Sequence, residues 1–193
     1  MASRSIDLPG ASVAFDPDWL EAGEGRALFE ALQALPWERH RITVYGRTLD
    51  APRLSCWIGD VAYRYSGTLF EPHPWPAVLQ PVRARLAREL QADFNSVLAN
   101  LYRNGDDRLG FHRDSEPELG PEPLIASISL GATRRFRMRA RAGGGSFGID
   151  LTHGSLLVMS GATQRNWLHA VPPTKRATGP RLNLTFRCVN PRR

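Results

Sequence analysis

Two cysteines, Cys56 and Cys188, and one lysine, Lys175, are the scarcest features of this 193-residue chain. So little cysteine excludes a disulfide-stapled secreted scaffold and suits a reducing compartment. No apolar run approaches the ~18 residues of a membrane span, which excludes a helical membrane protein. The start, MASRSIDLPG, lacks the apolar stretch of a signal peptide, so a cytoplasmic location is expected. Internal repeats are absent, as is any low-complexity linker that would separate two domains. There is also no phosphate loop, and no regular helix-strand alternation of a nucleotide-binding α/β fold.

What remains is the balance of an ordinary globular chain, 42% hydrophobic and 23% charged. A chain of this length buries ~70% of its unfolded surface without needing a structural metal, and a single domain over 1–193 is expected. The formal net charge of +6 is unevenly spread: residues 1–100 carry a net −2 and residues 101–193 a net +8. A basic half points to a surface for phosphates or another polyanion, while a codon bias toward arginine is the blander account. Arginine is in either case the better binder of carboxylate and phosphate, because its planar fork donates two parallel hydrogen bonds.

Asp16 to Leu35 reads as a helix, with Asp16 as cap, Pro17 in the first turn and Leu20, Leu28, Leu32 and Leu35 on one face. Gly23 and Gly25 are candidate breaks in its first turns. Between Ile42 and Tyr65, short strands alternate with turn signals such as YGRTLDAPR, the pattern of hairpins. A second helix is expected from about Trp75 to Gln91, where Val78, Leu79, Val82, Leu86 and Leu90 recur at helical spacing. Beyond Asp93 the texture becomes β: FNSVLANLY, PLIASISL, RRFRMRARA, SFGIDLTH, SLLVMSG and LNLTFRCV, with Gly143 to Gly145 as a hairpin turn. The fold class expected is mainly β with flanking helices (α+β). Its core would be a double-stranded β-helix, or jelly roll, over 94–193, with the N-terminal helices outside.

Two features carry chemistry. In FHRDSEPELG, His112 and Asp114 alternate on an extended segment and share a face, so both can reach one metal ion. A third ligand must come from His40, His73, His153 or His169; His169 follows an apolar strand and a polar turn (SGATQRNWLHAV), where a strand could carry it back beside the pair. Two histidines and a carboxylate with open positions are the arrangement of non-haem Fe(II) oxygenases, although His-x-Asp also occurs by chance. In PRLNLTFR, Arg181, Asn183, Thr185 and Arg187 share one strand face and Leu182, Leu184 and Phe186 the other. The polar face looks either to solvent or into a barrel. In a barrel its arginines need an anion, and a dicarboxylate that also chelates the metal would serve. Asn100 and Tyr102 share a face of FNSVLANLY and could bond the same ligand.

Together, NLYRNGDDRLGFHRDSEPELG, PLIASISLGATRRFRMR, HGSLLVMSGATQRNWLHAVP and RLNLTFR resemble the AlkB-type 2-oxoglutarate- and Fe(II)-dependent dioxygenases, closest to homologues that repair alkylated nucleic acid. VYGRTLDAPRLSCWIGD and YRYSG resemble that family's nucleotide-recognition lid, which with the helices would fill residues 1–93. The resemblance implies His112, Asp114 and His169 as iron ligands. It implies Arg181 and Arg187 on the 2-oxoglutarate carboxylates, Arg181 nearer the metal and Arg187 distal, with Asn100, Tyr102, Asn183 and Thr185 as further polar partners. Trp57, Tyr63, Tyr65, Ser66, Ser115 and Glu116 fall in positions that would meet the base, and Ser115 departs from the aspartate of the family pattern. The implied reaction uses Fe(II), 2-oxoglutarate and O2 to demethylate bases such as 1-methyladenine and 3-methylcytosine in single-stranded DNA or RNA, releasing formaldehyde, succinate and CO2. No membrane is involved and a monomer is expected. The competing readings are a hydroxylase of a protein or small molecule, and a non-catalytic nucleic-acid-binding module. His40, His73 and His153, Trp37, Trp75 and Trp167, and both cysteines have structural readings. RRFRMRAR reads first as a strand with one solvated basic face, and a nucleic-acid contact by Arg135, Arg137 or Arg139 is the alternative.

Overall fold

The computed structural model describes residues 3–44, 47–65, 68–176 and 179–190. The chain begins with strands β1 (Arg4–Ile6) and β2 (Ser12–Asp16), the latter turning Val13 and Phe15 into the core. Helix α1 (Ala22–Leu32) starts later than the sequence pattern implied. Asp16 is not its cap. It ends β2 opposite Leu156, and its Oδ1 accepts the Asp18 N–H at 3.0 Å, closing a turn instead. Gly25 does not break the helix. A Cβ there would lie 2.7 Å from His153 Nε2, so the missing side chain lets α1 lie against that ring.

Strands β3 (Arg41–Val44) and β4 (Arg47–Asp50) form the first expected hairpin, whose turn lies outside the described residues. After β5 (Leu54–Gly59), β6 (Tyr63–Tyr65) and β7 (Thr68–Phe70) form a second. A 3-10 turn at Ala77–Leu79 leads into α2 (Gln80–Leu90), which stops at Gln91 with a left-handed φ of 51°. The β-rich half follows as β8 (Ser96–Tyr102), β9 (Leu109–His112), β10 (Ile125–Gly131), β11 (Arg134–Ala140), β12 (Ser146–Leu151) and β13 (Ser155–Ser160). A single turn, α3 (Thr163–Asn166), then β14 (Trp167–Val171) and β15 (Arg181–Arg187) complete it. Gly143 and Gly144, both left-handed, make the β11–β12 turn where the sequence placed one.

Seven strands form an antiparallel sheet in the order β1-β2-β13-β10-β15-β8-β5, and four form a second sheet, β12-β11-β14-β9. These are the two sheets of a jelly roll. The larger sheet takes β1, β2 and β5 from the first 93 residues, which the sequence had read as helices and hairpins. Alternation decides what each face buries. Leu182, Leu184 and Phe186 of β15 pack with Leu28, Leu32, Leu79 and Leu86 under the helices. Each such side chain contributes about 1.5–3 kcal/mol. Between the sheets lies a second cluster that includes Phe15, Met138, Leu157 and Trp167. The polar face of β15 points into this same space. Arg181, Asn183, Thr185 and Arg187 are all buried, which excludes the solvated-sheet reading. No helix among the described residues is long and apolar enough to cross a membrane.

Candidate metal centre and active site

His112 on β9 and His169 on β14 are paired across the smaller sheet, so both rings enter the space between the sheets, with centroids 4.2 Å apart. Asp114 lies two residues beyond β9. Gln164 of α3 fixes it there, its Oε1 accepting the Asp114 backbone N–H at 3.0 Å. One ligand atom from each of the three residues lies within 4.8 Å of the other two. Of the four histidines left open by the sequence, only His169 joins this group.

Protonation suits a metal. Burial would raise the Asp114 carboxyl, but Arg187, His169 and His112 outweigh it and hold the group well below the ordinary carboxylate range. Burial, aided by His112, pushes His169 down to about 3, and burial lowers His112 as well. The set is therefore one carboxylate and two neutral imidazoles, the forms in which these groups bind metals. His112 Nδ1 lies 2.9 Å from the Gly110 carbonyl, which can only accept, so the proton is on Nδ1 and Nε2 keeps its lone pair. That Nε2 is 3.6 Å from Asp114 Oδ1. Asp114 Oδ1 and His169 Nδ1 are buried without a hydrogen-bond partner. A divalent cation would satisfy such donors, and the residues fit one.

Arg187 is the metal-side arginine. Its Nη2 and Nε donate to Asp114 Oδ2 at 2.7 and 3.1 Å, whereas Arg181 lies at the far end of β15 against Tyr102. This reverses the order implied by the family resemblance, because the loop after β9 brings Asp114 to the Arg187 end of the strand. Arg181 donates from Nη2 to Ser129 Oγ at 2.8 Å, while its Nε and Nη1, and the nearby Tyr102 hydroxyl, are buried without partners. Burial lowers Arg181 to about 10, so it stays charged at neutral pH. A buried cation with no acidic partner fits an anionic ligand. Asn183 pairs with Asn100 across β8 and β15 and donates to Ser127 Oγ at 2.8 Å, and Thr185 bonds Asn183 at 3.3 Å. Arg181, Tyr102, Asn100, Ser127, Asn183, Thr185 and Arg187 line one cavity with the metal-site residues, and it is tight at about 30 Å³.

A model of the 2OG-Fe(II) oxygenase superfamily matches residues 12–187. The chain belongs to that superfamily. It is 40% identical over 199 residues to human alpha-ketoglutarate-dependent dioxygenase alkB homolog 3, a match covering 98% of this chain and 67% of the relative. It is 40% identical over 161 residues to the mouse DNA oxidative demethylase ALKBH2, covering 78% of this chain and 67% of that one. The chain thus spans about two thirds of the length of these relatives. In fold it is similar to the structure of OsALKBH1, with a TM-score of 0.62 at 18% identity over 94% of this chain and 98% of the other. The oxygenase is of the AlkB type, as its sequence motifs implied.

The residues assigned to the base fare differently. Trp57 is only 2% exposed, packed with Phe70, Leu98, Leu119 and Val189, and its Nε1 donates to the Val61 carbonyl at 2.9 Å. It cannot stack on a base, because β5 turns its ring toward that interior cluster. Tyr63 and Tyr65 lie on β6, with side chains outside the described residues, as is Ser66 altogether. Ser115 is exposed and Glu116 half-buried on the segment leaving Asp114, and neither lines the cavity. Sequence reasoning missed Arg53, buried at the start of β5, whose Nε donates to Asn100 Oδ1 at 2.8 Å, alongside Ser55 Oγ at 3.1 Å. Gln164, Ser127 and Ser129 were missed too. The two serines carried a legible signal, the polar alternation within IASISL, which the register sets opposite Thr185 and Asn183.

Proposed function

We propose that the protein oxidatively removes alkyl groups from base nitrogens of nucleic acid. Lesions of the 1-methyladenine and 3-methylcytosine kind in single-stranded DNA are the main substrate, with RNA as a further one. One observation carries this reading. A single cavity holds a carboxylate with a bare buried oxygen, two neutral imidazoles and, at its far end, a buried arginine without an acidic partner. The similarity to an alkB homolog 3 dioxygenase and to a DNA oxidative demethylase supports the substrate class.

In this reading His112, Asp114 and His169 hold Fe(II). Arg181 and Tyr102 take the distal carboxylate of 2-oxoglutarate, Asn100, Asn183 and Thr185 flank it, and Arg187 sits at the metal end. When bound, iron, 2-oxoglutarate and O2 supply an oxidant able to hydroxylate a methyl C–H, with succinate and CO2 as coproducts. The chain itself orients and desolvates. Arg187 keeps Asp114 anionic and occupies its Oδ2, so that only Oδ1 faces the histidines. A hydroxymethyl group formed on a base nitrogen leaves as formaldehyde and restores the base. The base must first leave its stack, which costs least in a single strand, and the β3–β4 and β6–β7 hairpins with Tyr63, Tyr65 and Ser66 form the lid that receives it. Ser115 and Glu116 border the entry. The protein acts as a monomer, and its two free cysteines suit the cytoplasm.

The test is anaerobic reconstitution with Fe(II) and 2-oxoglutarate, then air and a methylated single-stranded oligonucleotide. Mass spectrometry counts succinate and restored base against an unmethylated control. Methyl loss matched by succinate is expected. Succinate without methyl loss would move the substrate elsewhere, and iron binding without either product would favour a binding module.

A further inference from the structure

Strand alternation leaves Arg135, Arg137 and Arg139 of β11 on the outer face of the smaller sheet, while Phe136 and Met138 enter the core. Basic residues exposed on a strand are ordinarily solvated or neutralised by cross-strand acids, and Arg135 follows that rule. Its Nη1 lies 3.3 Å from Asp150, and its side chain lies flat across Gly148, where a Cβ would come within 2.7 Å of Arg135 Nε. Arg137 and Arg139 do not follow it. Neither makes an ion pair among the described residues, and Arg176, across the groove from β11, makes none either. This open groove, about 670 Å³, runs between β11 and the segment Pro172–Arg176, and exposed Lys175 adjoins it.

At the other end of the row the guanidinium of Arg139 sits 4.4 Å from the ring centre of Phe111, and that ring is 41% exposed. Phe111 directly precedes His112 on β9. Because side chains alternate, Phe111 is on the outer face while His112 is on the inner one, so the row ends on the strand that also carries His112. Successive outward arginines are spaced by about 6.7 Å along the strand, comparable to successive phosphates of an extended single strand. Cations in a row without acidic partners, ending in an exposed aromatic ring against which Arg139 packs, supply the two parts of a platform for single-stranded nucleic acid: a groove that tracks the backbone and a ring on which a base stacks.

We propose that Arg176, Arg137 and Arg139, ending at Phe111, form a track for the phosphodiester backbone of a single strand beside the nucleotide being dealkylated. This deepens the proposed function and rests on it for the substrate class. Arg135 and Asp150 line the same groove but neutralise one another, so Arg135 adds no free charge to the track.

The test is fluorescence anisotropy of a dye-labelled, unmodified single-stranded 20-mer bound to the full chain across a salt series. Arg137→Gln/Arg139→Gln should bind about tenfold more weakly at moderate salt, and its log–log salt slope should be shallower by about 1.4. Phe111→Ala should weaken binding about tenfold with the slope unchanged, because stacking releases no counterions. Arg26→Gln/Arg88→Gln, an equal charge change on α1 and α2, should behave like wild type, and thermal melts separate unfolding from lost contacts. Wild-type binding by the β11 double variant, or an equal loss in the α1/α2 control, would overturn the track. The reaction is scored separately. Wild-type demethylation of a methylated 20-mer with an unchanged KM in the β11 variant would keep the reaction and remove the track. Loss of binding in that variant, in a protein that demethylates nothing, would keep the track and remove the reaction.

Discussion

Both donors that Arg187 directs at Asp114, Nη2 at 2.7 Å and Nε at 3.1 Å, go to the same oxygen, Oδ2, and leave Oδ1 bare toward His112. The arginine thus keeps the carboxylate charged without occupying its metal-facing atom. Replacing one partner of a buried ion pair strands the other, at a cost of about 3–5 kcal/mol. Arg187→Met should therefore lose about that much stability without metal, measured by urea unfolding. A bound divalent cation gives Asp114 a second counter-charge, so saturating Mn(II) should recover a large part of the loss. An equal loss with and without Mn(II) would show that Asp114 does not face the cation.

Arg181 is the opposite case, a buried cation with no acid to pair with. Arg181→Met should leave the ligand-free protein equally stable, or more stable by about 1–4 kcal/mol. The same change should raise the KM for 2-oxoglutarate at least about a hundredfold, because a charge-assisted carboxylate contact is lost. Thermal melts and a succinate assay check the two halves. A destabilised variant with an unchanged KM would assign Arg181 a structural role.

Gln164 positions Asp114, and through it would position a metal held there. Its Oε1 holds the Asp114 backbone N–H at 3.0 Å and is itself buried. Gln164→Leu orphans that N–H and should cost about 1–3 kcal/mol. Metal affinity should fall about 10–100-fold, as for other groups that orient ligands. Gln164→Glu retains an acceptor and should recover most of the affinity in a metal titration. If Leu and Glu behave alike, the backbone bond is not what positions Asp114.

The sequence made the inside of the molecule more legible than its edges. Alternation in β15 separates Leu182, Leu184 and Phe186 from Arg181, Asn183, Thr185 and Arg187 without ambiguity, since period two is a property of the strand itself. Whether that polar face was dry could not be read locally, because the sheet opposite it is contributed by β9, β11, β12 and β14. The order of Arg181 and Arg187 about the metal was misread for the same reason. It depends on where the loop after β9 delivers Asp114, a long-range relationship. Trp57 failed differently: β5 is buried on both faces, so an aromatic residue there carries no mark separating a core ring from a stacking one. Asp16 looked like a helix cap because a turn-closing aspartate and an N-cap use the same acceptor.

Asp107 links acid stability to the scaffold behind the site. Its Oδ2 accepts the Arg103 backbone N–H at 2.9 Å and Nε at 2.8 Å, its Oδ1 accepts Arg103 Nη2 at 2.8 Å, and its carbonyl accepts from Arg134 at 2.7 Å. Burial alone would raise its carboxyl, but the bonds from Arg103 and the charges of Arg103 and Arg134 bring it below the ordinary 3.8. A carboxyl depressed in the folded state contributes stability that is complete above the unfolded value and is lost as pH falls through the folded one. Asp107→Asn should therefore cost about 1–2 kcal/mol at pH 7, a modest figure because the Arg103 side chain is 40% exposed. The gap between variant and wild type should narrow as the pH drops below 3.8, when the wild-type carboxyl also loses its charge. Urea unfolding at stepped pH measures it. A gap that stays constant from neutral pH into that acid range would mean that Asp107 stabilises by shape and hydrogen-bond count, with its charge contributing nothing.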